Sequence, residues 1–155
     1  LHAHTKVSPH ASQKKVKSWL NSLLTIFRSE SHFDVMMNSF LDPNVCLVSS
    51  DLRGTLPARA FTWAFNAPHG RKLCSEFNLD FPAGSFYFPA GAMFGFRLRT
   101  YEQLISHTLS AVSFPPEPSA VDGEPQHAIE RLFGILASQR GINVVLGENG
   151  QVESI

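Results

Sequence analysis

His2, His4 and Lys6 alternate at the start of the chain, and Ser8 follows one step later. In an extended segment residues 2, 4 and 6 share one face. Two imidazoles at that spacing can approach a metal ion, but no third ligand is fixed by spacing, as a zinc site requires. A lysine beside a histidine at a strand end also suits a phosphate. Both donate hydrogen bonds, and the lysine brings a full positive charge. The plainest alternative is an exposed polar loop.

A second group lies in Asp122-Gly-Glu-Pro-Gln-His-Ala-Ile-Glu-Arg131, an acidic turn that runs into a helix. Asp122, and Glu117 in the proline-rich stretch before it, are candidate general bases for a hydroxyl such as a sugar's, given hydrogen-bond reach. The alternatives are that Asp122 ends a turn with Gly123 and that Glu117 is a solvated loop charge. Glu130 and Arg131 are adjacent, so they point about 100° apart on a helix and do not pair along it. Glu130 is a further candidate base facing a cleft. His127 stands one turn from Arg131, within reach of it. The third group is Phe88-Pro-Ala-Gly-Ala-Met-Phe94, which reads as a buried apolar strand broken by Pro89 and Gly91. Gly91 permits close approach of backbone or ligand where a Cβ would clash. The chain has no nucleophile elbow, glycine-rich phosphate loop, CxxC, HExxH or Asp-x-Asp.

The elements that must position these residues follow from periodicity. Val16, Trp19, Leu20, Leu23, Leu24 and Phe27 recur at helical steps and predict a helix over 12–29. Its start carries Lys14, Lys15 and Lys17, the unfavourable end for cations. That placement reads as a solvated face or as a sign of an anion nearby. Residues 31–41 predict a second helix capped by Ser31, with Asp34 in the capping-box position. Met36 and Met37 there read as core filler. Val45–Ser50 reads as a buried strand of a parallel sheet. Residues 51–72 show no clear period and predict an irregular excursion with one short helix. Residues 86–98 read as strand, and Thr100-Tyr-Glu-Gln103 as a capping box opening a helix to about Leu109. Pro125 in a first turn, the stripe Ile129, Leu132, Phe133 and Leu136, and Gly141 at the end predict a helix over 124–140. Ile142–Leu146 reads as a last strand, and the residues from Gly147 as a frayed polar tail. This alternation predicts one α/β domain over 1–146, with a mixed, mostly parallel sheet flanked by helices. Its functional loops belong at the strand C-terminal ends.

Composition narrows the classes. The 155 residues are 43% hydrophobic, enough to bury a core in a single domain. Thirteen basic and thirteen acidic side chains cancel, which argues against a nucleic-acid binder driven by bulk charge. Phenylalanines cluster between Phe61 and Phe96, marking a thick apolar middle or an aromatic surface. Cys46 and Cys74 sit in apolar contexts and read as two buried free thiols of a reducing compartment. No apolar run approaches the roughly 20 residues that span a bilayer. The abrupt opening without Met reads as a cut from a longer protein. The basic, apolar helix from Lys14 to Phe27 can lie on a membrane surface, but core packing accounts better for its stripe.

Taken in order, His4-Thr-Lys6 with Ser8, Trp19 and its leucine-rich helix, Phe40-Leu-Asp-Pro-Asn44, Phe88-Pro-Ala-Gly-Ala-Met-Phe94, Glu117, Asp122-Gly123 and His127-Ala-Ile-Glu-Arg131-Leu-Phe resemble the rhamnan synthesis protein F family of bacterial glycosyltransferase-like proteins. The resemblance runs from Leu1 to about Gly141. It implies the second half of a GT-A-like glycosyltransferase domain, with the missing N-terminal half of the parent protein as a partner. The implied substrates are a nucleotide-sugar donor and a saccharide or lipid-linked saccharide acceptor, and no nucleic acid. The implied activity is transfer of a deoxyhexose such as rhamnose during cell-surface polysaccharide or lipopolysaccharide synthesis. It would belong to the full-length protein, with this fragment inactive alone. His4-Thr5-Lys6 stands where related enzymes carry Asp-x-Asp. The resemblance therefore implies donor-phosphate binding by Lys6 with His4 and Ser8 in place of a metal's neutralising charge. No cofactor is fixed; a divalent metal is compatible, though the Asp-x-Asp motif is absent. Asp122, or else Glu117 or Glu130, is the implied base of an inverting displacement, and Gly91, Met93, His127 and Arg131 the acceptor side. The expected location is cytoplasmic, peripheral at the inner face of the membrane. From other classes come a non-catalytic carbohydrate-binding or scaffold remnant, and a structural domain whose phenylalanines fill the space between Gly91 and His127.

Overall fold

The computed structural model describes residues 12–111 and 122–155. His4, Lys6, Ser8, Glu117 and the proline-rich stretch 114–118 lie outside them. Four strands form one sheet: β1 (Val45–Ser50), β2 (Phe94–Phe96), β3 (Ile142–Leu146) and β4 (Val152–Ser154). Five α-helices accompany it: α1 (Gln13–Leu23), α2 (Glu30–Ser39), α3 (Ala67–Glu76), α4 (Leu98–Ala111) and α5 (Pro125–Arg140).

The strand order is β2-β1-β3-β4. β1 runs parallel to β3, while β2 pairs antiparallel with β1 and β4 antiparallel with β3. The fold is therefore α/β and the sheet mixed, as the alternation predicts, but it is not mostly parallel. A parallel pair needs a long crossover, which α5 supplies for β1 and β3. β4 instead returns directly from β3 through a short turn that contains Gly150 at φ 80°. The residues from Gly147 thus form a turn and an edge strand, where the sequence predicts a frayed tail.

All six residues of β1 are buried, which explains its unbroken apolar character. Leu47 packs with Leu132 and Leu136 of α5 on one face, whereas Val48 packs with Met36 of α2 on the other. A third cluster, built from Leu23, Leu52, Phe61, Phe88, Ala90 and Met93, fills the region past the C-terminal end of β1. Cys46 and Cys74 are both buried free thiols. Burial pushes the Cys74 thiol up to about 11.

α5 begins with Pro125 in its first turn, where a missing N–H costs nothing, and stops before Gly141. Gly134 lets it press on the neighbouring chain: a Cβ there would stand 2.6 Å from Phe88 Cα and closer still to the Tyr87 carbonyl. The strand reading of 86–98 holds only for Phe94–Phe96. Gly91 at φ 94° and Ala92 at φ 53° turn the chain back, and two successive left-handed residues cannot continue a strand. The cap of α2 is Ser29, whose hydroxyl accepts from the His32 N–H, not Ser31. α4 starts at Leu98, two residues before Thr100; the Thr100 hydroxyl faces the Cys46 sulfur at 3.3 Å. The excursion after β1 contains two short 3₁₀ turns (Ala58–Ala60 and Ala64–Asn66) and then α3, which reaches Glu76.

Candidate functional site

α5 leads through Gly141 straight into β3, so its N-terminus lies at the C-terminal end of β1 and β3. The Asp122 turn and the loop that leaves β1 therefore meet at one end of the sheet. In open α/β sheets ligands bind at that end.

On the α5 side the polar groups hold one another. Arg131 is 8% exposed. Its Nε donates to the Thr62 carbonyl at 2.9 Å and its Nη1 to the His127 carbonyl at 2.9 Å. Its Nη2 stands 3.4 Å from Asp122 Oδ1. The guanidinium lies 4.9 Å over the Phe88 ring. Asn66, fully buried, donates to the same Asp122 Oδ1 at 2.5 Å and to the Trp63 carbonyl, and accepts from the Gly123 N–H at 3.0 Å. Asp122 thus has one oxygen anchored twice, while its other oxygen receives no hydrogen bond among the described residues. Glu130 points away from Arg131, as their adjacency requires, and its Oε1 accepts the Gly91 N–H at 2.6 Å. It also lines a cavity of about 300 Å³ with Phe94, Phe96, Ile105 and Phe133.

The residues expected on the acceptor side divide. His127 and Arg131 join the Asp122 cluster, but the His127 link to Arg131 runs through its carbonyl, and the buried His127 Nδ1 has no hydrogen-bond partner among the described residues. Gly91 and Met93 face inward. A Cβ on Gly91 would stand 2.8 Å from a Leu23 methyl, and Met93 is a core residue.

The loop that leaves β1 carries charges that the sequence does not single out. Arg53 donates to Asp51 Oδ2 at 2.8 Å and to Glu153 Oε2 at 2.6 Å, tying this loop to β4. The bidentate guanidinium lowers the pKa of both carboxyls, and they in turn raise that of Arg53. Beside it Tyr87 donates to the Ser50 carbonyl at 2.6 Å, and burial pushes its hydroxyl up to about 12. Phe61 stacks on Tyr87 at 5.4 Å, and both rings wall a cavity of about 390 Å³ that Arg53 also lines. On the other flank of the loop, Lys15, Trp19, Thr55 and Arg59 line a cleft of about 650 Å³. The available signal was the position of Asp51-Leu-Arg53 directly after a buried apolar run. Asn66 had no signal, because its role depends on Asp122, far along the chain. Among the described residues no group of three or more His, Cys, Asp or Glu side chains is placed to hold a metal ion.

This α/β unit, with polar groups gathered at the strand C-terminal ends, matches the family model of rhamnan synthesis protein F over residues 1–142. The chain belongs to that family, as its three segments around His4, Gly91 and His127 indicate. It is 31% identical over 149 residues to the uncharacterized protein WxcX of Xanthomonas campestris pv. campestris strain B100, covering 96% of this chain and 21% of that protein. A WxcX protein from a second strain of the same pathovar is 28% identical over 148 residues, with the same coverage. The chain therefore spans about a fifth of the length of the curated relatives it matches. No solved structure matches it. The family associates the chain with rhamnan and polysaccharide synthesis. No helix among the described residues is long and apolar enough to cross a membrane.

Proposed function

We propose that this chain is part of a glycosyltransferase of bacterial cell-surface polysaccharide synthesis. The full-length protein would move a deoxyhexose such as rhamnose from a nucleotide-sugar donor to a saccharide or lipid-linked saccharide acceptor, at the cytoplasmic face of the membrane. Family membership supports the reaction class. The observation that carries the site is Asp122, one oxygen anchored by Arg131 and Asn66, the other without a hydrogen bond among the described residues, at the ligand end of the sheet. In the reaction Asp122 takes the proton of an acceptor hydroxyl. That oxygen attacks the donor's anomeric carbon, and the carbon–oxygen bond to the diphosphate breaks with inversion. Lys6, with His4 and Ser8, carries part of the charge on the departing nucleoside diphosphate; a divalent metal is an alternative carrier.

One observation favours a second reading, a structural scaffold without a ligand at this place: the space near Gly91 is occupied by Leu23, Phe88 and Met93. Two measurements on the full-length protein separate the readings. Asp122→Asn keeps an oxygen for Asn66 and Arg131; the transferase reading expects turnover to fall by about 10²–10⁴ with the fold intact. Unchanged turnover rejects Asp122 as the base. The second is a metal-free titration with dTDP-rhamnose, against dTDP alone and other nucleotide sugars, with wild type and Lys6→Ala. Saturable binding that weakens without Lys6 supports the transferase and its lysine clamp. Binding only with added Mg²⁺ or Mn²⁺ removes the clamp, and no binding under either condition favours the scaffold.

A further inference from the structure

Twelve of the thirteen lysines and arginines lie among the described residues. Arg28, Arg53, Lys72 and Arg131 pair with carboxylates. Arg97, Arg99 and Arg140 donate to carbonyls, and Arg71 lies over the Phe81 ring. The remaining four are Lys14, Lys15, Lys17 and Arg59. Among the described residues none of them has an ion pair, and all four stand on α1 or the loop after β1.

Their placement costs free energy as it stands. The three lysines occupy the first turns of α1, which contain no acidic residue, so they face the positive end of the helix dipole. Lys15 and Arg59 approach from different elements and line the same 650 Å³ cleft, with the Trp19 ring and Ser18 also on its wall. Among the described residues no aspartate or glutamate lines it. A recess with two cations from two elements, a hydroxyl and a tryptophan, and no counterion among the described residues, is suited to an anion joined to a ring. Its volume exceeds that of a single phosphate. On the transferase reading, on which this inference rests, the anion of matching chemistry is a diphosphate ester of a sugar.

We propose that the cleft between α1 and the loop after β1 binds the diphosphate of a sugar-diphosphate ester, with Lys15 and Arg59 clasping the phosphates and Trp19 flanking the attached ring. Arginine supplies a planar fork for two phosphate oxygens and lysine a point charge. The diphosphate belongs either to a nucleotide donor or to a lipid-linked acceptor.

The test uses the full-length protein and its Lys15→Gln/Arg59→Gln variant. Each is titrated with inorganic pyrophosphate, with dTDP, and with phosphatidylcholine vesicles carrying a polyprenyl diphosphate. Both side chains are exposed, so the variant folds as wild type does. Removing two charge-assisted contacts is expected to weaken binding by about tenfold or more. Loss in the pyrophosphate and dTDP arms assigns the cleft to the donor; loss in the pyrophosphate and vesicle arms assigns it to the lipid-linked acceptor. Equal affinity of wild type and variant in every arm overturns the site, as does failure of wild type to bind any of the three. The Asp122→Asn turnover assay leaves residues 15 and 59 untouched, so the transferase reading stands or falls separately.

Discussion

Arg131 and Arg59 stand at the same end of the sheet and meet opposite surroundings. Arg131 is buried, and each of its nitrogens that contacts a partner finds one within the chain: Thr62, His127 and Asp122. Arg59 is exposed, lines an open cleft and has no ion pair among the described residues. A buried charge left alone costs several kcal/mol, so an interior arginine exists only with its partners present. A solvated cation carries no such requirement, and its clustering with Lys15 needs another reason. The difference teaches that the two regions answer to different constraints. The α5 side holds the fold and orients Asp122; the α1 side carries cations that the described residues do not pair.

That comparison breaks most sharply at Arg131. Arg131→Ala leaves Asp122 without its cation and the Thr62 carbonyl without its guanidinium donor, and is expected to cost about 3–5 kcal/mol in urea unfolding. A loss under about 1 kcal/mol, the range of exposed pairs, would place Arg131 with the surface charges and dissolve the contrast. Two glycines extend the comparison to the backbone. At Gly134 a Cβ meets the Tyr87 carbonyl and Phe88 Cα, backbone atoms that cannot swing aside. Gly134→Ala is expected to destabilise by about 1–3 kcal/mol through overpacking. At Gly54, in the open loop, a Cβ meets nothing within 4 Å. Gly54→Ala is expected to shift the urea midpoint by less than Gly134→Ala does. An equal shift would show that the loop after β1 is as constrained as α5.

Acid separates the regions in a second way. Arg53 holds the Asp51 and Glu153 carboxyls below their ordinary values. Carboxyls depressed in the folded state stabilise it above their unfolded pKa, near 4, and lose that contribution as pH falls through their folded values. Wild type should therefore lose stability below about pH 4. Arg53→Gln should show a shallower decline over the same range, read from thermal unfolding between neutral and strongly acidic pH. Parallel curves for the two proteins would mean that the Arg53 ties contribute nothing measurable, as many exposed pairs do not.

The parts that periodicity could reach are the parts that bury a stripe. β1 and β3 have the bounds that their apolar runs indicate, and α5 runs to Arg140 between Pro125 and Gly141. Where the outcome depends on partners remote in sequence, local patterns mislead. β4 is exposed throughout and exists only because β3 offers an edge, so its polar residues resemble a tail. Residues 86–93 are as apolar as a strand, yet Gly91 and Ala92 fold them into a turn under α5. The same holds at the site. Asp122 and Arg131 are legible as a carboxylate and a guanidinium near a helix start. The Asn66 amide that completes the cluster, and the Glu153 carboxylate that completes the Arg53 tie, come from far along the chain. No spacing rule could have named them.

The smallest effect is the most telling. Replacing Lys15 and Arg59 together with glutamine removes two charges yet breaks no ion pair among the described residues. Surface changes of this kind lie within about 0.5 kcal/mol, and here the sign should favour stability. Lys15 sits at the positive end of α1, where a cation opposes the helix dipole. Unfolding in urea at low salt should therefore show a midpoint unchanged or slightly raised in the double variant, with any gain shrinking as salt screens that opposition. A clear loss of stability would mean that these side chains hold the fold as Arg131 does. Neutral or improved stability would identify two charges that the folded chain does without.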